Sequence, residues 1–166
     1  METIRNALSV GLIAACVLTA MYVSTLAYSW WRYVRTLCDR ALHGTGSDQI
    51  DALRILHVLP EGRNVLRRIT ADTAASVTVR ASSGAMLAER AIEEDIDLLC
   101  EQLRNTASQR GCTTSKDRYM REMWVTGLSL VPERAQARAK AALTDLLVEE
   151  GDPQVKKTIR FHLARL

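Results

Sequence analysis

The chain shows two regimes of apolar and polar spacing. From Asn6 to Trp31 it reads NALSVGLIAACVLTAMYVSTLAYSWW, 26 residues with no charged side chain between Arg5 and Arg32. At about 1.5 Å per helical residue this run reaches roughly 39 Å, more than the roughly 30 Å hydrocarbon core of a bilayer. The pattern predicts a transmembrane helix over 6–31, with a short flank at 1–5. Beyond it the apolar residues recur at helical spacing. A stalk and loop are expected over 32–46, ending at HGTGS (His43–Ser47), and a soluble helical domain over 47–166. The fold class expected is all-α, a membrane helix followed by a helical bundle or a short helical-hairpin array.

The ends of the apolar run sharpen that expectation. Trp30, Trp31, Arg32, Tyr33 and Arg35 stand where interfacial anchors belong, because amphipathic rings and long basic side chains favour the headgroup region. A cleaved signal peptide is disfavoured: its apolar run is roughly 7–15 residues with small residues at the cut, whereas this run is longer and ends in large aromatics. Arg32, Arg35 and Arg40 outweigh Arg5, so the positive-inside rule places the C-terminal domain in the cytoplasm, or in the matrix of a mitochondrial inner membrane. Ala7, Gly11, Ala15 and Thr19 recur every four residues. They form either a membrane helix-packing face for another subunit or a chance alignment of small residues.

In the remaining chain, Ile50, Leu53, Leu56 and Leu59 predict one helix starting near Ser47 and Asp48. A second runs from Pro60 or Glu61, with Val65, Leu66 and Ile69 inward and Arg63, Arg67 and Arg68 outward, where they can rest on anionic headgroups. The stretch 70–83, TADTAASVTVRASS, reads as weak helix or extended linker. Ala88, Ile92, Ile96, Leu99 and Leu103 predict one long amphipathic helix over Gly84–Asn105. A polar loop follows, then a helix capped by Thr114 or Ser115 that runs to Leu130, with Met120, Trp124 and Leu128 inward. Pro132 opens the next helix, Gly151 ends it, and Asp152 caps a last helix with Pro153 at its first position.

Pro132–Leu166 resembles a helical-solenoid repeat of the HEAT kind, whose second helix often opens with Asp-Pro-x-Val, here Asp152, Pro153 and Val155, with Leu163 and Leu166 beyond. The resemblance covers about 35 residues, and no fixed period is evident upstream. It implies a stacked helical-hairpin architecture.

Charge and chemistry narrow the function. Net charge is +3, from 22 basic and 19 acidic residues that are mixed along the chain, which is not the concentrated basic field of a nucleic-acid binder. Arginine outnumbers lysine 18 to 4, a bias explained by codon composition as readily as by function. Glu89, Glu93, Asp97 and Glu101 recur every four residues on the expected long helix, either a docking stripe for a basic partner or a solvated face. None of the four cysteines forms a CxxC pair; Cys100 and Cys112 are close enough in sequence to pair, and free thiols are the plainer expectation. His43, His57 and His162 read as boundary residues. No Walker loop, dinucleotide glycine pattern, HExxH or GxSxG occurs, so no catalytic residue, cofactor, metal or small-molecule substrate is expected. The function expected is a non-catalytic single-pass accessory or assembly subunit of a larger membrane complex, of the respiratory-chain or ATP-synthase type. Its partners would be the bilayer and other membrane subunits. The alternative is a membrane-tethered adaptor that recruits a soluble protein.

Overall fold

The structure, a computed structural model, describes the backbone of residues 2–107 and 114–166 and the side chains of 15–106 and 114–166. Among the described residues there are eight helices and no strand. They are α1 (Glu2–His43), α2 (Gly46–Val58), α3 (Gly62–Ala71), α4 (Val77–Glu89), α5 (Glu93–Ala107), α6 (Ser115–Ser129), α7 (Glu133–Glu149) and α8 (Pro153–Leu163). The chain divides into two compact units, Met1–Thr36 and Leu37–Leu166.

The first unit is the greater part of α1. Thr19, Ser24 and Thr25 each donate a hydroxyl to the carbonyl four residues back, at 2.8 Å. Among the described residues no helix is long and apolar enough to cross a membrane. This overturns the expected single-pass integral membrane protein, and with it the mitochondrial inner-membrane placement with a matrix domain. From Ala15 onward the helix interleaves Thr19, Ser24, Thr25 and Ser29 with its apolar residues and then reaches Arg32 and Arg35, so no sufficiently apolar window survives there.

In the second unit every helix pair in contact is one or two apart in chain order. α3, α5 and α7 pack in series as one layer; α2, α4, α6 and α8 pack in series as the other. Sequential helices join the layers as hairpins. The caps of α4, α6 and α8 are Ser76, Thr114 and Asp152, so these helices start 38 residues apart. Each of the three side chains accepts a hydrogen bond from a backbone N–H of the first turn, filling a donor position the helix cannot satisfy itself. This regularity escapes a search for repeated residues because the three caps differ chemically and the inward positions do too: Ser83, Arg121 and Ile159 occupy the same place, seven residues after the cap, and all are buried.

Two adjoining cores result. One gathers Leu37, Ala41, Leu53, Leu56, Leu66, Ile69, Val79 and Leu87; the larger runs from Ala81 through Trp124 and Leu143 to Ile159. The α4–α6 contact is the most extensive among the described helices, and it rests on small residues. A Cβ on Gly84 would stand 2.1 Å from Trp124 Nε1, and one on Gly127 would stand 3.0 Å from the Ala88 Cβ. The buried indole donates to the Arg80 carbonyl at 3.1 Å, and the Arg80 guanidinium lies 5.5 Å from the Trp124 ring centroid. Thr70 and Ser83 share a buried hydroxyl contact at 3.0 Å. The expected weak helix or linker at 70–83 is therefore the end of α3, a turn and the start of α4. Thr70, Arg80 and Ser83 are buried and partnered inside, whereas Asp72, Thr73, Ser76 and Thr78 are exposed.

The expected single helix over Gly84–Asn105 is in fact two, α4 and α5, broken at Arg90–Ile92. Asp95 enforces the break. Its wholly buried carboxylate accepts from the Ile92 N–H at 3.0 Å, the reach-back half of a capping box. Elsewhere Thr114 caps α6, and Asp152 caps α8 with Pro153 in its first turn, as the spacing predicts.

Gly84→Ala is expected to destabilise the second unit by about 1–3 kcal/mol, because the indole or the α4 backbone must shift to admit the methyl group. Denaturant unfolding followed by Trp124 fluorescence checks this, with Ala85→Ser, at a half-buried position of α4, as the milder comparison.

Candidate functional site

The most structured polar assembly lies where α3 meets the α4–α5 turn. Arg63 and Arg67 occupy successive turns of α3 and reach toward Asp95. Arg67 Nε donates to Asp95 Oδ1 at 2.5 Å and its Nη2 to Glu94 Oε2 at 3.0 Å. Arg63 Nε stands 3.7 Å from Asp95 Oδ2 and its Nη2 donates to the Arg90 carbonyl at 2.8 Å. Arg90 in turn donates to the His57 carbonyl at 2.9 Å, and His57 Nε2 lies 3.3 Å from Glu89 Oε2. The cluster thus links α2, α3, α4 and α5. Its carboxylates raise the Arg67 pKa against the opposing effect of burial, so that guanidinium holds its charge firmly.

A second assembly closes the α7–α8 turn. The Arg121 and Glu150 side chains, both buried, form an ion pair, and Glu150 accepts from the Asp152 N–H at 2.7 Å. Arg118 Nε donates to Asp152 Oδ2 at 2.9 Å. Burial would raise the Asp152 pKa; the Arg118 bond and the N–H groups of Gln154 and Val155 outweigh it and hold the carboxyl below its ordinary value. Burial also lowers the Arg121 pKa and that of His162, whose Nε2 is 3.3 Å from Thr126 Oγ1.

The residues singled out from the sequence are distributed differently from expectation. Glu89 belongs to α4 and turns to His57, whereas Glu93, Asp97 and Glu101 are on α5, so the four carboxylates do not share one helix face. Asp97 is engaged by Arg138 at 2.5 Å; Glu93 and Glu101 are exposed. Arg63 and Arg67 are held by Asp95 and the Arg90 carbonyl rather than free to meet headgroups; Arg68 alone of the three is exposed. Ala7 and Gly11 lie outside the residues whose burial is described. Ala15 and Thr19, expected to pack against another membrane helix, are exposed, as is Arg32, expected as an interfacial anchor; among the described residues there is no span for either role. Trp30, Trp31 and Tyr33 are exposed by 47–54%, in contact with one another's turns: Trp30 and Tyr33 rings are 6.0 Å apart, and Arg35 lies 5.4 Å from the Trp31 ring. Cys112 lies outside the described residues. Cys100 is a free, buried thiol on α5, its pKa pushed up to about 11 chiefly by that burial.

Asp95 is not marked by the sequence pattern, and its partners Arg63 and Arg67 are expected there only as outward-facing residues. The available signals were an acid three residues after a helix start and arginines four apart on a neighbouring helix, neither distinctive alone. Among the described residues no group of three or more His, Cys, Asp or Glu stands close enough to hold a metal ion. The chain matches no family model, no curated protein and no solved structure.

Two outcomes follow for these clusters. Asp95→Asn is expected to cost about 1–3 kcal/mol, since Arg67 and the Ile92 N–H lose a buried charged acceptor while the part-exposed Arg67 keeps Glu94; a double-mutant cycle with Arg67→Gln, measured by urea unfolding, should return a coupling of about 1 kcal/mol or more. For Asp152, whose folded pKa is depressed, the stabilisation is present above its unfolded value of about 3.9. It is lost as pH falls through the lower folded value. The stability difference between the parent and Asp152→Asn should therefore be flat from pH 7 to 5 and shrink below pH 4.

Proposed function

We propose that the chain is a non-catalytic accessory or assembly subunit. In this reading α1 joins it to a larger protein complex, while α2–α8 form a short HEAT-like array of helical hairpins. The two serial layers and the 38-residue spacing of the α4, α6 and α8 caps support the array, a period just short of the roughly 40–47 residues of HEAT and armadillo units.

The exposure of α1 carries the docking half of the reading. Val17, Leu18, Met21, Tyr22, Val23, Leu26, Tyr28, Trp30, Trp31 and Tyr33 are each 47–67% exposed. Five of them are aromatic and leave on the order of 500 Å² uncovered, which alone matches the largest apolar patch of a typical monomer. Residues 15–31 of α1 carry no charge, and large apolar side chains left in water on such a stretch gain by being covered. Residues 37–166, by contrast, fill their own cores. A protein surface that wraps α1 is the cover proposed.

Native electrophoresis of the chain from its source tests this. The 18.5 kDa chain should run within a complex several times its mass. The double variant Leu26→Arg, Trp30→Arg should leave that complex while its unfolding midpoint stays within about 2 °C of the parent, since exposed changes away from a core cost little. Migration of the unaltered chain as a lone monomer contradicts the proposal.

A further inference from the structure

A half-enclosed cavity of about 270 Å³ opens between α2, α3 and α4, lined by His57, Leu59, Pro60, Arg63, Leu66, Met86, Leu87 and Arg90. We propose that it binds a carboxylate borne on a branched aliphatic group of about leucine size. The site lies within residues 37–166 and is independent of the attachment through α1.

The lining divides by chemistry. Leu59, Leu66, Met86 and Leu87 supply an apolar wall, and Leu66 and Leu87 are themselves buried. Arg63, Arg90 and His57 supply the polar part, and no carboxylate lines the space. The acids nearby face other groups. Asp95 is within hydrogen-bonding reach of Arg67 and the Ile92 N–H and 3.7 Å from Arg63, and Glu89 meets His57 from an exposed position. Each guanidinium has five donors. The hydrogen bonds described use one on Arg63, to the Arg90 carbonyl, and one on Arg90, to the His57 carbonyl. Those two bonds fix both side chains at the cavity, so a carboxylate meets forks already in place. Charge-assisted bonds from a held arginine are the strong class. A cation is disfavoured by the same two groups, and a phosphate or sugar by the apolar wall. A half-open space of about 270 Å³ suits a small ligand, and 4-methylpentanoate and a terminal leucine with its carboxylate each join the apolar and anionic parts the lining asks for.

The test titrates the full chain, with its methionine methyls carbon-13 labelled, and follows the Met86 signal by NMR. The probes are 4-methylpentanoate, its amide, and N-acetyl tripeptides ending in leucine carboxylate or leucine amide. Saturable shifts with the free acid at least tenfold tighter than with its amide, lost in both Arg63→Gln and Arg90→Gln, support the site. Tighter binding of the tripeptide acid than of 4-methylpentanoate assigns the source to a protein C-terminus; the reverse order assigns it to a free acid. Equal affinity for acid and amide, or no shift at Met86, overturns the proposal. Should either arginine variant fail to fold, Met86→Trp, which fills the cavity while keeping both charges, serves in its place with Leu87 methyl signals as the readout. Retained acid binding there also overturns it.

Discussion

A buried carboxylate gripped by arginines from the helix two positions earlier is the interaction on which the described architecture depends. Asp95 is bound by Arg67 and approached by Arg63, joining α3 to α5. At the surface, Arg104 of α5 reaches Glu149 of α7 and Arg138 of α7 reaches back to Asp97 of α5, joining the same two helices with exposed carboxylates. Arg118 and Arg121 hold Asp152 and Glu150, joining α6 to the start of α8. Each tie runs along a layer. Apolar packing is non-directional and fixes no stacking register, whereas a charged pair with a fixed fork does. The two buried ties sit at turns, where they also decide where helices begin.

This gives the arginine bias a structural side that composition alone does not reveal. Lysine offers one compact charge, but Arg67 binds Asp95 and Glu94 at once through separate nitrogens, and Arg80 combines a bond to the Thr70 carbonyl with stacking near Trp124. Such arrangements need a planar, many-donor cation. The cost is desolvation, seen in the lowered pKa values of Arg80 and Arg121. Buried pairs of this kind are weak evidence for stability and better evidence for specificity of arrangement.

Much of the helical framework was legible because apolar spacing and caps agree at the C-terminal end. Thr114, Pro132, Gly151, Asp152 and Pro153 mark boundaries that the structure keeps within a residue or so. The α4–α5 break was not legible: no Gly or Pro marks Arg90–Ile92, and the apolar pattern runs on through it. What restarts the helix is a local bond from the Ile92 N–H to Asp95, and what holds that carboxylate inside is Arg67, a tertiary partner of which sequence spacing carries no sign. α4 itself was obscured because its packing relies on Gly84, Ala85 and Ala88, residues too small to register as an apolar stripe, and on Thr70, Ser83 and Arg80, polar groups satisfied inside. The acidic stripe failed for the same reason as the long helix on which it was drawn. The opening apolar run was legible as unusual, but among the described residues it forms no helix able to span a membrane.

Residues 37–166 bury their own cores, and a protein cover over residues 15–36 is what is proposed. Amide hydrogen exchange of the full chain, isolated and then within its complex, measures this most directly. In the isolated chain the amides of 15–36 should exchange orders of magnitude faster than those of α6, because the large apolar side chains described there stand exposed, and should slow by at least a hundredfold in the complex. Equal protection of both segments in an isolated monomer, unchanged on assembly, would contradict it.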